Sequence, residues 1–398
     1  MTGKPRHIGV AERRTRLGLR QRLAGAARGT APEEVADSLV ALHGSDPATV
    51  YLAVGARLAD ARETVPQVER ALYEDRSLVR MHGMRNTVFV FPTALAAVVH
   101  ASTGLDLAAK ARAALVKDMV AGSGGRLTGQ WLDEVEASAL AALARRGQAT
   151  VNQLTADEPR LKEQFTHSPG KSYEGVHTVS SRLMRVLGFE GRVVRGRPLG
   201  SWTSSQFRWE VAPPHPPLPP AEARSELLDR WLRACGPATE ADLKWWTGWK
   251  VTDVRRALTA GGAVTVSLDD GATGYVAAGD DGPVDEPDAP WAALLPALDP
   301  APMSRAERDW FLEPSLRPAL FDRSGNVGPT VWWDGRVVGG WAQRPDGEIV
   351  WRLPAGQDVG REALEAIAAE AGRLQEWVGG TRITPRFRTP LERELSAA

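Results

Sequence analysis

Residues 221–278 read AEARSELLDRWLRACGPATEADLKWWTGWKVTDVRRALTAGGAVTVSLDDGATGYVAA. The spacing predicts a helix over 221–234, stopped by the breaker pair Gly236-Pro237, then a short helix at EADLKWW (240–246) and a third at KVTDVRRALTAGG (250–262). Residues 263–268 then pair with 274–278 across DDGAT, whose residue types suit a hairpin turn. A long helix, a short helix, an amphipathic helix and a hairpin make the plan of a winged helix.

The plan recurs upstream of the proline-rich linker PPHPPLPP, which ends at Pro220. A middle copy has helices at WLDEVEASALAALARRG (131–147), near VNQLTADE (151–158) and at HTVSSRLMRVLGFEG (177–191), with a wing from GRVVRGRP and SSQFRWEVA turning near Leu199-Gly200-Ser201. The first copy is longer: helices over 10–27, 32–42 and 47–61, a further one at ETVPQVERALYEDR (63–76), and the hairpin LVRMHGMRNTVFVFP (78–92). Downstream, 269–288 carries seven acidic and no basic residues, which reads as a solvated wing tip plus linker. A strand-rich segment over 327–354 follows, with hairpin signals at Asp334-Gly335 and Asp346-Gly347, then a helix over 362–378 and the basic tail TRITPRFRTPLER (381–393).

Composition limits what such an array does. The 398 residues are 43% hydrophobic and carry 49 Lys+Arg against 49 Asp+Glu, so roughly two to four ordinary globular domains are expected. Zero formal charge excludes a global positive field, so any nucleic-acid surface is local. One cysteine, Cys235, excludes a disulfide framework and a Cys-based zinc cage. The basic start MTGKPRHIGVAERRTRLGLRQRL lacks the apolar core of a secretory signal, and no stretch approaches the eighteen or so apolar residues of a membrane span. A cytoplasmic, nucleoid-associated protein without a membrane partner is expected.

Basic charge concentrates in patches. Arg182, Arg185, Arg192, Arg195, Arg197 and Arg208 fall on one predicted helix and its hairpin, a credible phosphate-binding face that would equally suit a solvated helix and edge strand. Arg382, Arg386 and Arg388 form a second cluster, and Arg13, Arg14, Arg16, Arg20 and Arg22 a third. Guanidinium groups suit this work because their planar fork holds phosphate oxygens bidentately. The fourteen tryptophans suit core packing, or a base-stacking role for one or two. No P-loop, GxGxxG, HExxH or nucleophile elbow occurs, and the seven histidines lack metal-ligand spacing.

Five stretches, SLVALHGSDPATVYLAVGARL (38–58), RSLVRMHGMRNTVFVFP (76–92), CGPATEADLKWWTGW (235–249), LLPALDP (294–300) and DGRVVGGW (334–341), together resemble the AlkZ/YcaQ-like family of bacterial DNA glycosylases across nearly the whole chain. The resemblance implies an α+β fold of three tandem winged helices forming a C-shaped clamp, plus a C-terminal β-rich domain. The implied divisions are 1–120 with the active site, 121–215, 221–290 and 291–398. It also implies hydrolysis of the N-glycosidic bond of alkylated purines, N7-alkylguanine and bulky adducts or interstrand crosslinks made by genotoxins included, with no metal or organic cofactor.

The family's Gln-apolar-Gln motif falls on His43, Gly44 and Ser45, so both amides are replaced, and its Thr-Leu-His-Leu run falls on Thr87-Val88-Phe89-Val90. His43 is expected as a neutral, water-orienting base and Ser45 as its polar partner. Asp46 is a third candidate that also caps the next helix at Pro47, whose positive end would favour the neutral imidazole. Arg80 and Arg85 flank the hairpin and join the predicted DNA contacts. A monomer clamping damaged duplex DNA, with no obligate protein partner, is the leading expectation. A DNA-binding protein without chemistry, a damage sensor or regulator, is the alternative.

Overall fold

The computed structural model describes residues 4–397 apart from 169, 173, 270 and 355; residues 1–3 of the basic start and Asp270 of the third hairpin's expected turn lie outside the described residues. The protein is a mixed α+β molecule with small antiparallel sheets. Helix α1 (Val10–Arg20) stops well short of the expected residue 27, because the chain turns through Arg22 at φ 56°. Then come α2 (Pro32–Leu39), β1 (Leu42–His43), α3 (Pro47–Gly55), α4 (Thr64–Tyr73), β2 (Leu78–His82) and β3 (Val88–Pro92), with strand order β1-β3-β2. Pro32 and Pro47 open α2 and α3, where a missing N–H costs nothing.

A rod follows that the patterns above do not announce: α5 (Ala96–Val99), a π-helical turn at His100–Gly104, and α6 (Leu105–Gly122). The second unit is α7 (Gly129–Arg146), β4 (Gln148–Ala149), α8 (Val151–Asp157), an extra hairpin β5 (Gln164–His167) and β6 (Gly175–Thr178), α9 (Val179–Phe189), β7 (Val193–Pro198) and β8 (Phe207–Val211). Its sheet runs β4-β8-β7, the order of the first unit. The third has α10 (Pro220–Cys235), α11 (Glu240–Thr247), α12 (Val251–Ala260), β9 (Val264–Ser267) and β10 (Thr273–Val276), with Ala238 bridging Tyr275 where the first strand of the other units would pair. His7 bridges Ser267, so the start of the chain extends this hairpin.

The C-terminal sheet, β11 (Ala292–Leu295), β12 (Thr330–Trp333), β13 (Arg336–Gln343) and β14 (Ile349–Arg352), is a meander, with short helices α13 (Pro300–Met303) and α14 (Arg317–Leu320) between its first two strands. The β12–β13 turn is Asp334-Gly335, both at positive φ, as the hairpin signal requires. Helices α15 (Gly360–Val378) and α16 (Pro390–Ala397) cover it.

Burial shows how the units are joined. One core runs from α2, α3 and β3 into the C-terminal sheet and α15, through Leu42, Val50, Val90, Val331, Trp341 and Ile367. A second joins Phe89, Phe91 and Val99 to Leu227, Trp231 and Trp246 of the third unit. The second unit keeps its own core, built with the lower half of α6 through Leu115, Met119, Leu132, Phe165, Leu183 and Trp209. The first, third and C-terminal units thus share cores, while the second, carried on α6, keeps its own and adds Trp202 of its β7–β8 turn to the first, against Tyr51 and Trp377.

Candidate functional site

The junction His43-Gly44-Ser45-Asp46 leads from β1 into α3. Gly44 donates its N–H to the Val88 carbonyl at 2.8 Å, and a Cβ there would sit 3.3 Å from that oxygen, so the junction is pressed onto β3. Ser45 lines a cleft of about 340 Å³ between the first and second units. The other walls are His82, Asn86 and Val88 of the first hairpin, Ser181 and Arg185 of α9, Arg195 and Trp209 of the second sheet, and Arg386 of the tail.

His43 does not line that cleft. It is 7% exposed, stands opposite Phe89 in register with its ring edge-on at 5.3 Å, and its buried Nδ1 has no hydrogen-bond partner among the described residues. Burial, and then the Arg85 guanidinium, pushes its pKa down to about 4. The imidazole is therefore neutral at physiological pH, through desolvation and a nearby cation rather than through the helix end.

Asp46 is turned to a structural task. One carboxylate oxygen accepts from the Ala48 N–H at 3.1 Å, capping α3, and the other accepts from the Arg386 N–H at 2.9 Å. Burial raises this carboxyl above the usual range, opposed by those two donors. The Arg386 guanidinium donates to the Ser45 carbonyl at 3.2 Å, so the tail is fastened over the junction.

Three of the predicted arginines, Arg185, Arg195 and Arg386, line the cleft, and Arg80 lies close to Arg195. Arg80 is 6% exposed, and its Nε and Nη2 meet no hydrogen-bond partner among the described residues. The Nε of Arg195 is likewise buried and unpartnered, its guanidinium lies 4.4 Å from the Phe207 ring centroid, and burial, with Arg80 and Arg386 nearby, lowers its pKa to about 10. It stays charged. A buried donor without a partner is costly, so the Arg195 Nε at an open cleft suits an anion that supplies the missing acceptor. Arg185 reaches over Phe189, and Arg182 donates to His177 at 2.9 Å.

The remaining predicted arginines are engaged elsewhere. Arg192 pairs with Glu136, Arg197 with Glu69 at 2.8 Å and Glu74 at 3.1 Å, and Arg388 with Glu392 at 2.7 Å. Arg85 stacks 3.9 Å over Trp245 of α11, clipping the first hairpin to the third unit. Arg382 lies against Gly347 in the β13–β14 turn, and Arg208 is half-buried in β8. The N-terminal cluster is not a phosphate face: Arg16 and Arg20 bind Asp280, Arg14 the Trp310 carbonyl and Arg22 the Ala27 and Glu34 carbonyls, and Arg13 lies 4.4 Å over Trp310, all fastening the start of the chain.

The residues not anticipated are His82, Asn86, Ser181 and Trp209. His82 is held down to about 3 by burial and then by Arg195 and Arg185. Arg85 and Asn86 both adopt left-handed φ, 52° and 59°, at a hairpin tip that lacks the usual glycine. A turn forced without glycine was the one readable signal among them. No group of three His, Cys, Asp or Glu among the described residues could hold a metal, and no helix among them is long and apolar enough to cross a membrane.

A family model described as DNA glycosylase AlkZ-like matches residues 36–377. Among solved structures, the Streptomyces sahachiroi DNA glycosylase AlkZ matches with a TM-score of 0.65 and 19% identity, over 92% of this chain and 96% of that one, which is a likeness of fold. No curated protein matches in sequence.

Proposed function

The chain belongs to the AlkZ-like DNA glycosylase family, and from that premise we propose that it hydrolyses the bond between deoxyribose and an N-alkylated purine held in the cleft between the first and second units. The observation that carries this reading is the convergence, in one cleft, of Ser45, at the position of the family's catalytic motif, with Arg185, Arg195, whose buried Nε has no hydrogen-bond partner among the described residues, and Arg386, with Arg80 close behind Arg195. These arginines, with Arg182, hold backbone phosphates of a clamped duplex. Ser45 Oγ holds the attacking water. The water oxygen bonds to C1′, the C1′–N9 bond breaks, and its electron pair leaves with the purine, which alkylation has already made a good leaving group. The water's proton passes to solvent through the open cleft. His43, neutral and directly before Gly44, adds no charge to repel the oxocarbenium-like state. Bulky adducts and interstrand crosslinks are substrates of the same chemistry.

The test is base release from duplex DNA carrying N7-methylguanine. Ser45→Ala lowers the rate by about tenfold or more with affinity retained, corresponding to about 1.4 kcal/mol of transition-state stabilisation, and His43→Ala lowers it as well. Unchanged rates in both variants would remove the junction from the mechanism. The burial of His43 favours a second reading, a damage-binding protein without chemistry; salt-sensitive binding with no release by the wild type would select it.

A further inference from the structure

His82 shares the cleft with Ser45, and the first sheet sets how the two stand. The strand order β1-β3-β2 puts Gly44, Val88 and His82 in one lateral row: the Gly44 N–H is given to the Val88 carbonyl at 2.8 Å, and His82 is the register partner of Val88. The outer members of such a row are two strand spacings apart, roughly 9.5 Å. Ser45, the residue after Gly44, lines the cleft with Val88 and His82, so the hydroxyl and the imidazole lie to either side of Val88. The ring is held from two directions. It packs 4.4 Å from the Phe189 ring at the end of α9, and its Nδ1 is turned to Gly188, where an added Cβ would fall 2.8 Å from it. Burial, then Arg195 and Arg185, keep the imidazole neutral, against a backbone hydrogen bond with Gly188 that favours the protonated ring. That bond is a ring N–H donated to the carbonyl. With Nδ1 carrying the proton, Nε2 carries the lone pair.

We propose that His82 accepts a proton from the attacking water through Nε2, while Ser45 holds that water from the other side. The proposal rests on the glycosylase reading and deepens it by naming where the proton goes. Among the described residues that line the cleft none is a carboxylate, so His82 is the one side chain there able to take a proton at neutral pH. An N7-alkylated purine is a cation on its sugar. Cleavage of C1′–N9 therefore sends the bonding pair out with a neutral purine and leaves an oxocarbenium carbon. The water oxygen bonds to that carbon and becomes strongly acidic. One of its protons moves to Nε2, giving an imidazolium and a neutral hemiacetal, and the imidazolium returns the proton to solvent at the open cleft. A weakly basic ring suffices, because a water bonded to such a carbon is a stronger acid than an imidazolium whose pKa is about 3. The same weakness keeps the ring uncharged while positive charge builds on the sugar.

The experiment is single-turnover base release from duplex DNA carrying N7-methylguanine by the wild type, His82→Ala and Ser45→Ala. His82→Ala loses about tenfold or more in rate while binding undamaged duplex within about twofold of the wild type. Added imidazole restores part of the His82→Ala rate and none of the Ser45→Ala rate. A merely structural role for His82, as the packing partner of Phe189, gives a loss that imidazole does not relieve; that outcome, or a wild-type rate in His82→Ala, overturns the proposal. If His82→Ala does not fold, His82→Gln, which keeps an acceptor, is compared with His82→Leu, which fills the space without one. Faster release by His82→Gln sustains the proposal, and equal rates overturn it. A wild type that releases no base sinks the glycosylase reading itself, whereas release indifferent to His82 leaves that reading standing and removes only this acceptor.

Discussion

His43 and Phe89 occupy the two positions where the sequence departs from the family pattern, and they are partners across β1 and β3 with their rings edge to face. The two departures are therefore one packing event. The sequence register placed His43, Ser45 and Asp46 just before α3, and Asp46 caps that helix as expected. It could not separate their surroundings, because which side of a two-residue strand meets solvent depends on the hairpin of another segment. The neutral state of His43 was legible, but its cause lies in burial and in Arg85, 42 positions away in the chain. A pH dependence follows. His43 and His82 have folded pKa values near 4 and 3, below the ordinary 6.5. Between those limits the unfolded chain binds protons that the folded protein refuses, so stability is full above pH 6.5 and falls as pH drops, by roughly 1.4 kcal/mol per unit for each imidazole. Thermal melting at pH 7.5 and pH 5 checks this; His82→Gln shows a smaller acid loss, and an unchanged difference between the two pH values would contradict the assignment.

At the scale of elements, the three hairpins were legible because turn residues punctuate alternating strands, and in two of the units the hairpin's second strand also pairs with a short strand from upstream. The α5–α6 rod was not, since an alanine-rich stretch such as LAAKARAAL has a weak apolar stripe and carries no loop signal. The inserted β5–β6 hairpin was missed for the opposite reason: its four-residue strands are polar and flank a segment rich in Ser, Pro and Gly. These two elements meet at Gly122, where an added Cβ would fall onto the Thr166 carbonyl of β5. Gly122→Ala must push the hairpin off α6, at about 1–3 kcal/mol for overpacking against backbone. Chemical denaturation measures the loss, and hydrogen exchange locates it in 164–178 ahead of the first unit. A neutral effect would mean that the two elements slide past one another freely.

At the scale of the molecule, the arginines are divided between holding the units together and facing the cleft. Arg57 of the first unit and Asp299, which opens α13, are both fully buried and joined by two bonds of 2.8 and 2.7 Å, with the Gln21 and Ala53 carbonyls taking further protons. Asp299→Ala strands a guanidinium inside the shared core and costs about 3–5 kcal/mol, while Arg57→Met with Asp299→Leu recovers much of it; melting temperatures of the two variants give the comparison. Zero net charge is then no obstacle to a polyanionic ligand, because many of the cations that balance the acidic residues do so by pairing with them. The same division limits how many remain for phosphate. If Arg80, Arg182, Arg185, Arg195 and Arg386 each displace one counterion, the slope of log K against log salt is about −4.5, and Arg195→Ala with Arg386→Ala reduces its magnitude by about 2. A slope near −7 would show that Arg192, Arg197 and Arg388 abandon their carboxylates on binding. That result would make the internal ion pairs a latent DNA surface, and the Arg197 pairs with Glu69 and Glu74, which join the second unit to α4 of the first, would have to open for it.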